Sequence, residues 1–330
     1  MPPRLNIRLL SPACRLVRPY SIDAGSLIKV TNLPAPNSGH IRVLELNRPA
    51  ARNAISKALL AALRAEVDGV QAQYTPEGEE LPVTPRFGGA AGVNQKGPTR
   101  VLVLASAVDA SFCAGADLKE RRGFTQEETA DFLANLRGTF SSLSSLPIPT
   151  ISAVSSLALG GGLELALCTD FRVFASTATV GLPETRLGII PGAGGTYRLP
   201  AIIGQSRARD LILTGRRVSA PEAYFLGIAD RLVEVLPEDE RDAVAQEAGG
   251  QKAGEGTPSR ARRAALAEAV RLASEICEGG PIAVRAGLMA VRWPREEVEN
   301  AMYQRVVKSE DRDEALEAFR EKRKPVFKGR

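Results

Sequence analysis

The stretch ALGGGLELALCTD, residues 158–170, places three consecutive glycines and one carboxylate, Glu164, in an otherwise apolar run. LELALC reads as a short buried helix, with Gly160, Gly161 and Gly162 in its first turn. First-turn N–H groups have no intrahelical partner, and glycine lets another group approach the backbone closely. A helix start of this kind is suited to holding developing negative charge. PTISAV (149–154) before it and FRVFAS (171–176) after it read as short apolar strands. The local order is therefore strand, glycine-rich helix start, strand, as in stacked α/β units.

The same pattern extends in both directions. HIRVLELNRP (40–49) begins with strand-like alternation, and Ser56 precedes a helical spacing of Leu59, Leu63, Val67 and Val70. VLVLAS (101–106) reads as a buried strand. Thr125 and Glu128 form a capping-box pattern before a helix that carries Phe132, Leu136, Phe140 and Leu143. Residues 74–99 are rich in proline and glycine without period, the signature of an exposed insertion that adds little core. Beyond residue 204 the reading is helical: 205–214, 219–226, 259–276, 281–292, 295–306 and 310–322, with a short strand near 231–235. The charged connection beginning at Pro237 interrupts that series. No strong internal repeat is visible.

Composition narrows the chemistry. The 330 residues are 44% hydrophobic and 25% charged, as in an ordinary soluble globular protein, and no apolar run is long enough to span a membrane. Cys14, Cys113, Cys168 and Cys277 are scattered, which argues against a disulfide framework or a zinc site. The single histidine, His40, sits in a Pro/Asn/Gly-rich stretch and reads as a surface-loop residue; one histidine excludes Ser-His-Asp hydrolysis and histidine-rich metal sites. The formal charge of +5 is concentrated at Arg4, Arg8, Arg15 and Arg18, ahead of the first acid. That Arg-rich amphipathic start, residues 1–25, reads as a mitochondrial transit peptide. Without it the charge is near zero, which gives little support to a nucleic-acid footprint.

Two further stretches carry chemistry. SFCAGADLKER (111–121) follows the VLVLAS strand, and its Gly-Ala pair can turn the chain and aim an N–H inward. In VGLPETRLGIIPGAGGTYRLP (180–200), Glu184 stands amid Leu182, Leu187, Ile189 and Ile190, where a carboxylate must be paired, protonated or used. Glu164 and Glu184 are thus a candidate acid/base pair. Neither glycine cluster is a P-loop or a dinucleotide fingerprint, and GAGG (192–195) reads as a tight loop.

Taken together, FCAGADLKER, ALGGGLELALCTD, GLPETRLGIIPGAGGTYRLP and the earlier NRPAARNAIS (47–56) resemble the enoyl-CoA hydratase/isomerase (crotonase) superfamily. The resemblance runs from about residue 40 to the C-terminal EAFREKRKPVFKGR, interrupted chiefly by 74–99. CAGADLKER, GGGLELALCTD and FREKRKPVFKG are most similar to the branch of mitochondrial methylglutaconyl-CoA hydratases.

The resemblance implies an α/β fold: a crotonase-like spiral of repeated ββα units over 26–256 and a C-terminal helical trimerisation region over 257–330. It implies an acyl-CoA thioester substrate, with coenzyme A as part of the substrate and no separate cofactor or metal. It also implies a homotrimer or dimer of trimers in the mitochondrial matrix, with no membrane role. The backbone N–H groups of Ala116 and Gly161 would form an oxyanion hole, and Glu164 and Glu184 would be the catalytic acids. Arg52, Ala54, Ala114, Gly115, Asp117, Leu118 and Gly160 would line the CoA cleft. Phe319 and Lys322 would approach the nucleotide end, often from a neighbouring subunit. Asp117 and Lys119 also suit local turn geometry. A carboxylate-bearing acyl tail would need a cation, for which Lys119, Arg121 and Arg122 are near in sequence; Arg198 fits the GGTYRLP turn instead. Straight-chain, short-chain enoyl-CoA hydration or isomerisation, as in fatty-acid oxidation, is the enzymatic alternative. RNA binding is a further one, with only the modest basic patch EKRKPVFKGR behind it.

Overall fold

Residues 26–82, 97–236 and 256–330 are described by a computed structural model. The basic start 1–25, residues 83–96 of the aperiodic stretch and the connection 237–255 lie outside the described residues.

A hairpin of β1 (Ile28–Pro34) and β2 (His40–Leu46) opens the fold, followed by α1 (Lys57–Gln71). Ser56 caps α1 by accepting the Leu59 N–H, and Leu59, Leu63, Val67 and Val70 are buried as their spacing predicts. Next come β3 (Thr99–Ser106), β4 (Ser111–Cys113), the single turn α2 (Leu118–Arg121) and α3 (Gln126–Ser144). The capping box of α3 is formed on both sides by Thr125 and Glu128. The chain then alternates β5 (Thr150–Val154), β6 (Leu157–Leu159) and α4 (Gly161–Ala166) with β7 (Phe171–Ala175) and β8 (Thr179–Gly181). The rest is α5 (Gly195–Ile203), α6 (Gln205–Thr214), β9 (Arg217–Ser219), α7 (Ala220–Leu226) and β10 (Arg231–Val233), then α8 (Thr257–Cys277), α9 (Pro281–Arg292), α10 (Glu296–Val307) and α11 (Glu310–Glu321).

Two sheets result. The larger has the order β1-β2-β3-β5-β7-β10 and the smaller β4-β6-β8-β9. In the pairs β3–β4, β5–β6 and β7–β8, the first strand joins the large sheet and the second the small one. Helices follow each pair, so the chain advances as a spiral of ββα turns with parallel neighbours. Successive residues of a strand face opposite sides, and both sides here are covered. Leu102 and Leu104 of β3 face the core shared with α1 and α3, whereas Val101, Val103 and Ala105 face α8.

Long-range packing adds three features. The alanines of α8 (Ala261, Ala265, Ala269 and Ala273) lie on one stripe and let it pack closely on the large sheet. Helix α8 thereby covers the second face of the large sheet. His40 is no loop residue: the turn ends at Gly39, and His40 starts β2, buried, with its Nε2 3.0 Å from Thr99 Oγ1. The described ends of the 74–99 stretch also contribute to the core. Tyr74 is buried and its hydroxyl donates to the Thr99 carbonyl at 2.5 Å, while Glu80 pairs with the buried Arg100 and Arg285.

Candidate active site

The glycine run packs the start of α4 against β4 of the small sheet and the side chain of Glu184. Helix α4 starts at Gly161, and Gly160 is its N-cap at φ +52°, a conformation that disfavours other residues. A Cβ on Gly160 would also lie 2.8 Å from a Glu184 carboxylate oxygen. At Gly162 a Cβ would lie 2.1 Å from the Cys113 carbonyl oxygen, so the start of α4 is pressed onto the backbone of β4. The three glycines therefore do different work: Gly160 admits Glu184, Gly162 admits β4, and Gly161 faces the gap between them.

Ala116 reaches that gap through a short parallel bridge with Ile55. Ile55 N–H donates to the Gly115 carbonyl (2.8 Å), and Asp117 N–H donates to the Ile55 carbonyl (3.0 Å). This leaves Ala116 N–H directed away from Ile55. Its nitrogen lies 3.6 Å from where a Cβ on Gly161 would sit. Neither Ala116 N–H nor Gly161 N–H has a protein acceptor among the described residues. Two adjacent unspent donors are what an oxyanion requires.

Glu164 is 2% exposed, on the buried face of α4. Its Oε1 accepts two backbone hydrogen bonds, from Ala193 and Gly195, each 2.8 Å. Burial raises its pKa, opposed by those two N–H groups and by the positive charges of Arg198 and Arg137. The GAGG stretch is thus a carboxylate cradle rather than a plain loop. It leads into α5, a helix that the sequence reading missed because two glycines and Pro200 obscure its period.

Glu184 lies in a 3-10 turn, Pro183–Leu187, whose first residue is proline. It is 8% exposed, and its Oε2 has no hydrogen-bond partner. Burial, opposed by a backbone hydrogen bond and reinforced by the charge of Glu164, raises its pKa to about 7. A buried carboxyl with one oxygen unpartnered, holding its proton near neutrality, is suited to acid catalysis, beside a second carboxylate held by two donors.

The residues expected along the cleft gather through main-chain bonds. Ala114 N–H donates to the Arg52 carbonyl (3.1 Å), and Arg48 binds both the Ala54 carbonyl (2.8 Å) and Asp117 Oδ2 (2.6 Å). The other Asp117 oxygen caps α2 by accepting N–H bonds from Lys119 and Glu120, so this side chain holds the turn. Leu118 is exposed beside it. Sequence reasoning passed over Asn53, which is fully buried at positive φ; its amide accepts from Arg48 N–H and donates to Ser106 Oγ and the Phe112 carbonyl. It joins the NRPAARNAIS segment to β4, and only its place between charged and apolar neighbours hinted at this.

Phe319 and Lys322 stand apart. Phe319 is 86% exposed on α11 and Lys322 is the exposed C-cap of that helix. Among the described residues no hydrogen bond or ion pair joins either to α4 or to the turn of Glu184. Arg198 is committed to the cradle, donating to the Ala193 carbonyl (2.9 Å) and Ser144 Oγ (3.1 Å).

The titration of Glu184 has two measurable consequences. A proton donor at this position must be neutral, so kcat/KM is expected to fall as pH rises through about 7. Its raised pKa also means that the folded state binds more protons than the unfolded chain between the ordinary glutamate range and pH 7. Stability contributed below that window is lost as pH rises through it, by on the order of 3 kcal/mol. Denaturant melts at pH 5 and pH 8 are expected to differ less for Glu184→Gln than for the wild type. An equal pH slope in both proteins would show that Glu184 titrates normally.

Comparisons with known proteins agree with this geometry. A family model described as enoyl-CoA hydratase/isomerase matches residues 92–253. The chain is 65% identical to "Methylglutaconyl-CoA hydratase 1, mitochondrial" of Pyricularia oryzae, over 99% of this chain and 97% of that protein. It is 55% identical to an "Enoyl-CoA isomerase/hydratase" of Zymoseptoria tritici, over 96% of this chain and 93% of that one. The crystal structure of an enoyl-CoA hydratase from Bacillus anthracis superimposes with a TM-score of 0.72 at 35% identity, covering 92% of this chain and all of that one. Two buried acids, two neighbouring N–H groups without an acceptor among the described residues, and 65% identity over 99% of the chain lead to one conclusion: the chain belongs to the enoyl-CoA hydratase/isomerase family.

Proposed function

We propose that the protein hydrates the α,β double bond of an enoyl-CoA thioester, and that its substrate is 3-methylglutaconyl-CoA, giving 3-hydroxy-3-methylglutaryl-CoA. The observation that carries the hydratase reading is the pair of unlike acids: Glu164 held by two N–H donors and Glu184 without a partner on Oε2. The thioester oxygen accepts from Ala116 and Gly161 N–H, which draws electrons from Cβ. Glu164 orients a water and takes its proton as the oxygen bonds to Cβ; Glu184 gives its proton to Cα. Transfer of a proton between the two acids, through solvent, restores the starting state. An isomerase needs no attacking water and can work with one acid; the 55% identical relative named for both activities keeps double-bond migration as the second reading.

The substrate rests on the name of the 65% identical relative, which is also named mitochondrial, in keeping with the arginine-rich first residues. A tail carboxylate needs a cation in a desolvated pocket, a contact worth roughly 1.5–3 kcal/mol, or about 10- to 150-fold in selectivity. Arg121, half-buried with its guanidinium 5.7 Å from the Phe132 ring centre, and the exposed Arg122 follow the oxyanion turn directly. Methylglutaconyl-CoA is expected to exceed crotonyl-CoA in kcat/KM at least about tenfold. Arg121→Ala or Arg122→Ala is expected to reduce that preference by affecting the acidic substrate alone. Equal or better efficiency on crotonyl-CoA would reject the substrate and leave a general enoyl-CoA hydratase.

Large exposed apolar residues, among them Phe225, Val291, Trp293 and Phe319, support assembly into a trimer or a dimer of trimers, with Phe319 and Lys322 serving a neighbouring subunit's CoA. Light scattering that returned a monomer mass would reject this.

A further inference from the structure

The cradle around Glu164 has an outer support. Arg137, an exposed residue of α3 with no ion pair among the described residues, donates from Nε to the Gly192 carbonyl oxygen at 2.7 Å. The N–H of that same peptide group belongs to Ala193 and donates to Glu164 Oε1 at 2.8 Å. A guanidinium, one peptide unit and a carboxylate thus form a continuous hydrogen-bonded chain from the surface to the buried acid. A cation on the carbonyl end of a peptide polarises its N–H, and consecutive hydrogen bonds strengthen one another. Arg198 acts on the next peptide, through the Ala193 carbonyl, whose N–H end belongs to Gly194 and does not reach Glu164.

We propose that Arg137 is a positioning residue for the reaction: through the Gly192–Ala193 peptide it keeps Glu164 ionised and aimed at the water it activates. The proposal rests on Glu164 being the base. The other groups that face Glu164 are Glu184 from the 3-10 turn, whose charge opposes ionisation, and Arg198 from α5, whose charge favours it. Just past the end of its helix, the Cys168 thiol donates to the Glu164 main-chain carbonyl (3.1 Å) and is pushed by burial to about 12, so it stays neutral.

The test compares full-length wild type, Arg137→Met and Arg137→Lys. Infrared pH titration follows the carboxyl band assigned to Glu164 by its loss in Glu164→Gln, and needs no turnover. In Arg137→Met the Glu164 titration is expected to move up by at least about half a pH unit. The acid limb of kcat for crotonyl-CoA should move with it, with KM within about twofold of wild type and the loss largest at low pH. Arg137→Lys, which keeps the charge and a donor, should recover most of both shifts. An unmoved Glu164 band in Arg137→Met overturns the proposal, as does a loss of kcat that is uniform across pH and unrelieved by lysine. Wild type inactive on every enoyl-CoA overturns the hydratase reading instead, and the infrared titration still decides the role of Arg137.

Discussion

Glu164→Gln and Glu184→Gln are each expected to lower kcat for hydration at least about 100-fold while leaving the fold intact. At position 164 the glutamine carbonyl can still accept the Ala193 and Gly195 N–H bonds, so the cradle closes as before. What is lost is the ability to take a proton from water. At position 184 the amide replaces an oxygen that has no partner, so little packing or bonding changes. What is lost there is the proton for Cα. Steady-state kinetics beside circular dichroism and a thermal melt separate lost chemistry from lost structure. Near-normal turnover by either folded variant would remove that acid from the mechanism.

Gly161→Val is expected to be folded and inactive, with at least a few kcal/mol of transition-state stabilisation gone. A Cβ at this position meets only ordinary contacts, 3.4 Å from the Ile55 methyl and 3.6 Å from Ala116 nitrogen. The fold therefore has room for the first atom, but a branched side chain covers the donor pair where the thioester oxygen must sit. The neighbouring glycine behaves differently. Gly162→Ala drives a methyl to within 2.1 Å of the Cys113 carbonyl, so β4 or α4 must move, and the expected result is lost stability along with lost activity. Melts and kcat/KM for the two variants side by side distinguish them. A Gly161→Val protein with near-wild-type kcat/KM would show that this N–H is not the oxyanion donor.

That contrast marks the division between what sequence and tertiary structure each determined. The local elements were legible wherever one periodic face met a clear boundary. Ser56 before α1 and the Thr125–Glu128 box before α3 fix their helix starts by hydrogen bonds within a few residues. The apolar runs of β3, β5 and β7 are strands because both faces are buried. Glu164, Glu184, Ala116 and Gly161 could be named as candidates for another reason: the acids stand in apolar runs, and the motifs around all four resemble those of one family.

What the chain order alone left open is everything that depends on which distant backbone comes close. The ββα spiral repeats in space without repeating in sequence, since sharing strands between two sheets constrains burial and not residue identity. His40 looked like a loop residue until β3 supplied Thr99, and the alanine stripe of α8 finds its partner only in the large sheet. The roles of the three glycines diverge only because Glu184, β4 and the Ile55–Ala116 bridge stand opposite them. GAGG became a cradle when the fold brought it to Glu164, and Arg137, 55 positions from Gly192, meets that cradle through one hydrogen bond. Sequence determined which residues have the chemistry. The fold decided their assignments, because an acid's proton affinity and a donor's availability depend on groups brought near it only by long-range packing.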